Sequence, residues 1–455
     1  MKNRVGQVNG ITEGVIWKQL LLFFFPLLFG TFLQQLYNAV DAIVVGQYLG
    51  KEALSAVGGV TGTLINVFIG FFVGTSSGAT VTISQYYGAG NKEGVSKAVH
   101  TAIALAIGAG VVIMVVGIFT APVVFRWMGT PEDIMPYSIT FIRIYFCGTI
   151  PNLVYNMGTG ILRAVGDSKR PLYYLGVGVA LNIVLDLLFV AVFHMGVAGA
   201  AVATVISQAA SAVLICITLM KTKESYRLSI RKIRFHKKVL AKIIRIGLPA
   251  GLQSLMYTSS NVIIQSSINS FGTNTIAAWT AYGKIDGLFW MTMSSFGISI
   301  TTFVGQNYGA GKYDRVHKGI RTCLIMTAAV AVGISLALYL AGPSVYILFT
   351  KDAQVIERGV EILHFMVPVF CTYVLIEIIS GALRGMGNSF IPMIMTGLGI
   401  CALRIVWIAT MVPVWHDIRT LLFCYPLTWV ITSILFIFYY RYSVKRDPGL
   451  QALKG

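Results

Sequence analysis

Two aspartates, Asp41 and Asp186, stand in stretches of sequence that are otherwise apolar, each with amide side chains at helical spacing. Gln34, Asn38 and Asp41 fall at i, i+4 and i+7 with Tyr37 beside them, and Asn182 precedes Asp186 by four. Residues at these intervals line one face of a helix. Asn152 with Asn156, and Thr204 with Gln208, repeat the i, i+4 spacing. A carboxyl withdrawn from water, and more so beside a second one, binds a proton more tightly. Such a cluster can load and release H+, and its oxygens also suit a hard cation such as Na+. Both chemistries stay open from the residues alone.

Two further acids lie in apolar surroundings: Asp286, with Lys284 two residues away as a local counter-charge, and Glu377, alone in its segment. The two apolar segments near 246–270 and 276–304 are rich in large, soft side chains: Met256, Tyr257, Trp279, Tyr282, Phe289, Trp290, Met291 and Met293. Aromatic and methionine surfaces hold flat cations through cation–π contact and adaptable packing. Aromatics facing lipid are the plainer reading.

The elements that must position these groups are membrane helices. Hydrophobic residues make up 56% of the 455, charged residues only 11%, and mean hydropathy is +0.75. A soluble domain carries about a quarter charged residues. Apolar segments long enough to cross a bilayer recur near 17–45, 53–85, 98–120, 134–161, 172–193, 196–220, 246–270, 276–304, 320–340, 359–382, 392–413 and 419–440. With twelve spans both termini share one side. That side carries 27 of the 35 lysines and arginines and the opposite side 5, the cytoplasmic signature for both termini. The net charge of +18 is thus spread over loops on one face. It reads as a topology signal and a contact for anionic lipid, not as a nucleic-acid surface. The six cysteines lie in or beside apolar segments with no CxxC pair, so neither disulfides nor a metal site is expected. The first apolar stretch is too long for a signal peptide.

The chain also repeats itself. "SQYYGAGNKEGVSKAV" (84–99) returns as "GQNYGAGKYDRVHKGI" (305–320), and "LRAVGDSKRP" (162–171) as "LRGMGNSFIP" (383–392). Pro26 aligns with Pro249 and Asn38 with Asn261. Two six-span copies follow, 1–220 and 246–455, joined by the basic stretch 221–245. An even-span copy repeats in parallel topology, an arrangement that places substrate sites between repeats near the midplane. Gly88, Gly90, Gly309 and Gly311 are expected to turn the chain between helices at positive φ. The acid cluster is not duplicated: Ile264 stands near the place of Asp41, Leu403 at that of Asn182 and Trp407 at that of Asp186. Polar residues that merely join helices would have similar duties in both copies, so the asymmetry points to an ion site in the first.

Twelve spans in two copies, Pro26 ahead of Asp41, the paired "QYYGAGN" and "QNYGAGK" and the paired "LRAVGD" and "LRGMGN" together resemble the multidrug and toxic compound extrusion (MATE) family, over roughly 15–440. The resemblance implies an all-α membrane protein, a V-shaped pair of six-helix bundles, monomeric, exporting organic cations and amphipathic compounds in exchange for Na+ or H+. Carried over by position, the coupling-ion site falls on Asp41, Asn156, Asn182, Asp186 and Thr204, and a bend of the first helix on Pro26. Other members also use acids in the second lobe, including its first helix; here that helix has Gln253 and Gln265 but no acid, leaving Asp286 and Glu377. A substrate cavity would draw on Gln34, Tyr37, Asn38, Met256, Tyr257, Tyr282 and Trp290. The alternative is a lipid-linked oligosaccharide flippase of the same superfamily, which would call for more inward cations than Arg143, Lys284 and Arg404. A channel fits a one-sided acid cluster poorly. No nucleophile elbow, HExxH or Walker loop is present, so neither an enzyme nor an organic cofactor is expected. The only cofactor expected is the coupling ion, and the location is the plasma membrane.

Overall fold

The computed structural model describes residues 11–446, and every regular element among them is helical. Two compact units are present. One holds Phe25–Gly251, and the other joins the residues before Phe25 to those from Leu252 onward. The boundary falls inside two long helices, α1 (Ile16–Leu54) and α8 (Lys237–Ile268). Each carries a proline within two residues of it, Pro26 and Pro249. An internal proline removes one backbone hydrogen bond and makes a bending point.

Between these helices run α2 (Thr61–Gly88), α3 (Lys92–Trp127), α4 (Met135–Cys147), α5 (Thr149–Ala164), α6 (Lys169–Asp186) and α7 (Gly196–Lys221). Eleven helical runs of the described chain are long and apolar enough to cross a membrane. The twelfth expected span, 134–161, is present as α4 and α5, which meet at Gly148. Two features mark the break, one local and one tertiary. Pro151 sits in the first turn of α5, where a missing N–H is tolerated, and a side chain at Gly148 would meet Val205 of α7 at 2.7 Å.

The repeated motifs fold alike. Gly90 and Gly311 adopt φ of +66° and +70°, and the next residues, Asn91 and Lys312, donate their N–H back to Tyr86 and Asn307 at 2.9 Å. Only glycine takes this conformation without strain. Gly88 and Gly309 instead close their helices without positive φ. In the second motif pair, Asp167 and Asn388 donate to Leu162 and Leu383, also at 2.9 Å.

Two short motifs hold α8 to the first unit. Gly74 and Gly78 on α2 meet Gly247 and Gly251 on α8, so that a Cβ on Gly74 would come within 2.6 Å of the Gly251 Cα. Paired small residues at this spacing let two membrane helices touch backbone to backbone. The basic linker is packed as well: Tyr226 and Leu228 are buried in the same core as Val239 and Ile243 of α8. His100 of α3 latches it, with Nε2 accepting the Ser229 N–H at 3.0 Å and Nδ1 at 2.6 Å from the Ser96 carbonyl.

The other unit continues through α9 (Thr273–Ile285), α10 (Gly287–Gly309), α11 (Tyr313–Ile347), α12 (Ala353–Met366), α13 (Phe370–Gly385), α14 (Phe390–Thr396), α15 (Leu403–Met411), α16 (Ile418–Leu422) and α17 (Cys424–Arg446). The start of the chain belongs here: Arg315 donates to the carbonyls of Ile11, Glu13 and Gly14, and the Phe24 ring stacks on Phe296 with centroids 4.0 Å apart. π-helical turns, uncommon and often found at functional positions, directly follow Asp186 (Leu187–Val192) and directly precede α15 (Gly397–Ala402).

Candidate functional site

In the first unit, α1 and α6 bring the two aspartates together. The carboxyls of Asp41 and Asp186 lie within hydrogen-bonding reach of each other. Asp186 is fully buried, no cation pairs with it among the described residues, and besides Asp41 its polar neighbour is the neutral Asn182 amide. One oxygen of Asp41 is likewise buried without a partner. Two ionised carboxylates have no donor to offer each other. The pair is therefore complete only with a proton or a cation between them.

Asn182, one turn before Asp186, is fully buried with its amide beside that carboxyl. Tyr37 donates its hydroxyl to Thr204 Oγ1 of α7 at 3.2 Å, which fixes the phenol beside both acids. Asn156 turns back on its own helix, donating to Asn152 O and Oδ1 at 2.9 Å. Gln34 and Asn38 are exposed on α1. Pro26 lies fifteen residues before Asp41 in the same helix, about 22 Å along its axis. Tyr145 of α4 also stands beside Tyr37. A tyrosine in an apolar span offers no spacing signal that would single it out.

The second unit holds its acids apart from one another and partnered. Asp286 accepts the Trp290 indole N–H at 2.9 Å. Lys284 is exposed and makes no ion pair among the described residues, so the local counter-charge expected for Asp286 is replaced by the indole. Glu377 is not alone: Arg384, two turns on along α13, approaches it at 3.8 Å, and the Tyr373 hydroxyl donates to it at 3.2 Å. With its one proton turned to Glu377, the same hydroxyl can only accept from the Tyr257 hydroxyl, 3.3 Å away. Tyr373, unremarked in the sequence, also packs edge-on against Trp290 with centroids 4.8 Å apart. Trp279, Tyr282, Tyr425 and Trp429 extend the cluster, in which Tyr282 is buried, while Met256 is exposed on α8. Most of this aromatic set is thus interior packing and not a lipid-facing belt.

The sequence matches the MatE family model over residues 26–188 and 249–410, once per repeat. It is 28% identical over 443 residues to the probable multidrug resistance protein YoeA of Bacillus subtilis (strain 168), with 95% of each chain covered. It is 26% identical over 402 residues to the probable multidrug resistance protein NorM of Thermotoga maritima, covering 86% of this chain and 84% of that one. The fold matches a crystal structure of MATE in the bent conformation with a TM-score of 0.90 at 23% identity, over 99% of both chains.

Proposed function

The chain belongs to the MatE family of multidrug efflux transporters, and from that premise we propose that it exports organic cations and other amphipathic compounds in antiport with H+ or Na+, by alternating access. One observation carries the coupling site. Of the four intramembrane acids, Glu377 has Arg384 and Asp286 has an indole N–H, whereas Asp186 faces a second carboxyl with only the neutral Asn182 amide beside it. The first-unit pair is where an entering cation gains most, because a buried charge without a partner is costly.

In this reading Asp41 and Asp186 hold the coupling ion, Asn182 and Thr204 supply neutral oxygens, and Tyr37 keeps the pair screened from water. Asn156 sets the α5 wall through Asn152. Loading the pair changes the charge on α1, and the bend at Pro26 lets that helix change shape. We assign candidate substrate contacts to Gln34 and Asn38 on α1 and, separately, to Met256, Tyr257, Tyr282 and Trp290 on α8, α9 and α10. The protein works as a monomer in the plasma membrane with both termini in the cytoplasm, as the uneven distribution of lysine and arginine supports.

The test is efflux of a fluorescent cationic dye from liposomes holding the purified protein, under an imposed H+ or Na+ gradient, for wild type and Asp41→Asn. Export by wild type under one gradient, lost in the variant, identifies the ion and assigns the carboxyl. Undiminished export by the variant would make Asp41 structural and move coupling to Asp186, Glu377 or Asp286.

A further inference from the structure

Arg404 on α15 is only 2% exposed, deep in a membrane-spanning segment. Its Nη1 donates to Ser260 Oγ at 3.3 Å, and its Nε is buried without a partner among the described residues. The guanidinium carbon lies 4.4 Å from the centroid of the Tyr425 ring. No carboxylate among the described residues is within 4.0 Å of it. The ionisable side chains that face it are Tyr257, Cys401, Cys424 and Tyr425, none of which is anionic at neutral pH in ordinary circumstances. Both acids of this unit are engaged elsewhere, Glu377 with Arg384 and Asp286 with Trp290.

A fixed guanidinium in this setting is costly unless an anion joins it. Its place in the repeat adds a second reason. Arg404 follows Leu403, the residue aligned with Asn182, and its partner Ser260 precedes Asn261, the residue aligned with Asn38. Where the first copy has Asn182 and, one turn on, Asp186, the second has Arg404, its own acids Asp286 and Glu377 lying elsewhere in the copy. The π-helical turn Gly397–Ala402 resets the helical register just before Arg404, and Tyr425 at the start of α17 covers it.

We infer that Arg404 is an anion-binding site that receives the carboxylate of zwitterionic amphipathic substrates when Tyr425 moves aside. The planar guanidinium fork matches a carboxylate with two parallel hydrogen bonds, and the surrounding tyrosines and tryptophans offer flat faces to an aromatic body. The inference rests on the export reading for its setting but not for its test, which is equilibrium binding.

The experiment uses the purified full chain in detergent, a rhodamine dye with a free carboxylate and the methyl ester of the same dye, read by fluorescence polarisation. Wild type is expected to hold the acid at least about tenfold tighter than the ester, the scale of a buried charge pair. Arg404→Gln should erase the difference by weakening the acid alone, with unchanged ester binding reporting an intact fold. Arg404→Met carries the same comparison if the glutamine variant does not fold. Benzoate should displace the acid and leave the ester untouched; benzoate that tightens ester binding would assign the site to a free anion bound beside the substrate and overturn the substrate-carboxylate assignment. Equal binding of both dyes by wild type, binding of neither, or equal weakening of both by the variants overturns the proposal. Dye binding as expected with no efflux under any gradient would instead sink the export reading and leave the site standing.

Discussion

Asp41 and Asp186 face each other from α1 and α6 with no cationic side chain paired to either among the described residues. If they share one cation, removing either should cost as much as removing both, since residues acting as a unit are strongly non-additive. Asp41→Asn, Asp186→Asn and the double variant are each expected to lower ion-driven efflux at least about tenfold. Initial rates in liposomes decide. A double variant that multiplies the two single losses would mean two separate roles.

One shared cation also fixes the response to voltage. One monovalent ion entering for one monovalent cation leaving moves no net charge, although each charge crossing 100 mV is worth about 2.3 kcal/mol. Efflux of a singly charged dye at a clamped ion gradient should not change when the vesicle potential is set. Acceleration by voltage would show that more than one ion enters per cycle.

The glycine contact between α2 and α8 predicts a structural defect with no chemistry in it. Gly247→Ala would press a methyl group against the backbone at Thr75, and Gly251→Ala would place one 2.7 Å from the Phe71 carbonyl. Overpacking of this kind costs about 1–3 kcal/mol, read as a lower melting temperature in detergent. Gly333→Ala on α11, where no neighbouring atom lies within 4 Å, is the control and should not melt earlier.

That contact shows where sequence reading stopped. The four glycines stand in plain view in "GTSSG" and "GLPAG", and a search for small residues four apart would have found both motifs. What pairs them is tertiary, and no periodicity within one helix reports it. Hydropathy located the spans because bilayer thickness sets their length, yet missed the break at Gly148, which depends on Val205 from another helix. The stripes on α1 and α6 were legible because helical spacing places Asn182 with Asp186. The partners of Glu377 and Asp286 were not, since Arg384 reads as a loop residue and an indole N–H carries no charge to notice.

The latch on the linker should fail when its histidine is removed. A backbone N–H can only donate, so His100 Nε2 must accept from Ser229 and carry its proton on Nδ1 toward Ser96. His100→Ala loses a net hydrogen bond worth about 0.5–1.5 kcal/mol. Trypsin should then cut faster between Arg227 and Arg234, by roughly twofold to tenfold. An unchanged rate would show that the buried Tyr226 and Leu228 hold the linker by themselves.

The same strap should loosen in acid. His236 accepts from Arg234 Nε at 3.2 Å and meets Thr101 Oγ1 at 3.1 Å. Burial lowers its pKa, and Arg234, Lys97 and His100 add to the effect. A histidine with its pKa depressed in the folded state binds protons better when released, so its share of stability is present above the ordinary histidine range and lost as pH falls through it. Anisotropy of a fluorophore at Ser225→Cys should drop on acidification, and less so with His236→Gln added. A drop of equal size in both proteins would assign the change elsewhere.

The position of the unit boundary inside α1 and α8 bears on how the protein is made. Duplication is written at residues 1–220 and 246–455, but packing is not. A growing chain cannot finish the unit Phe25–Gly251 until the leading part of the second copy has been synthesised. The other unit must wait for its last helices while its first strand of contacts, at Ile11 to Phe24, was translated at the outset. Neither copy expressed alone at the repeat boundary would contain a whole unit, so the two halves of this chain are obliged to mature together.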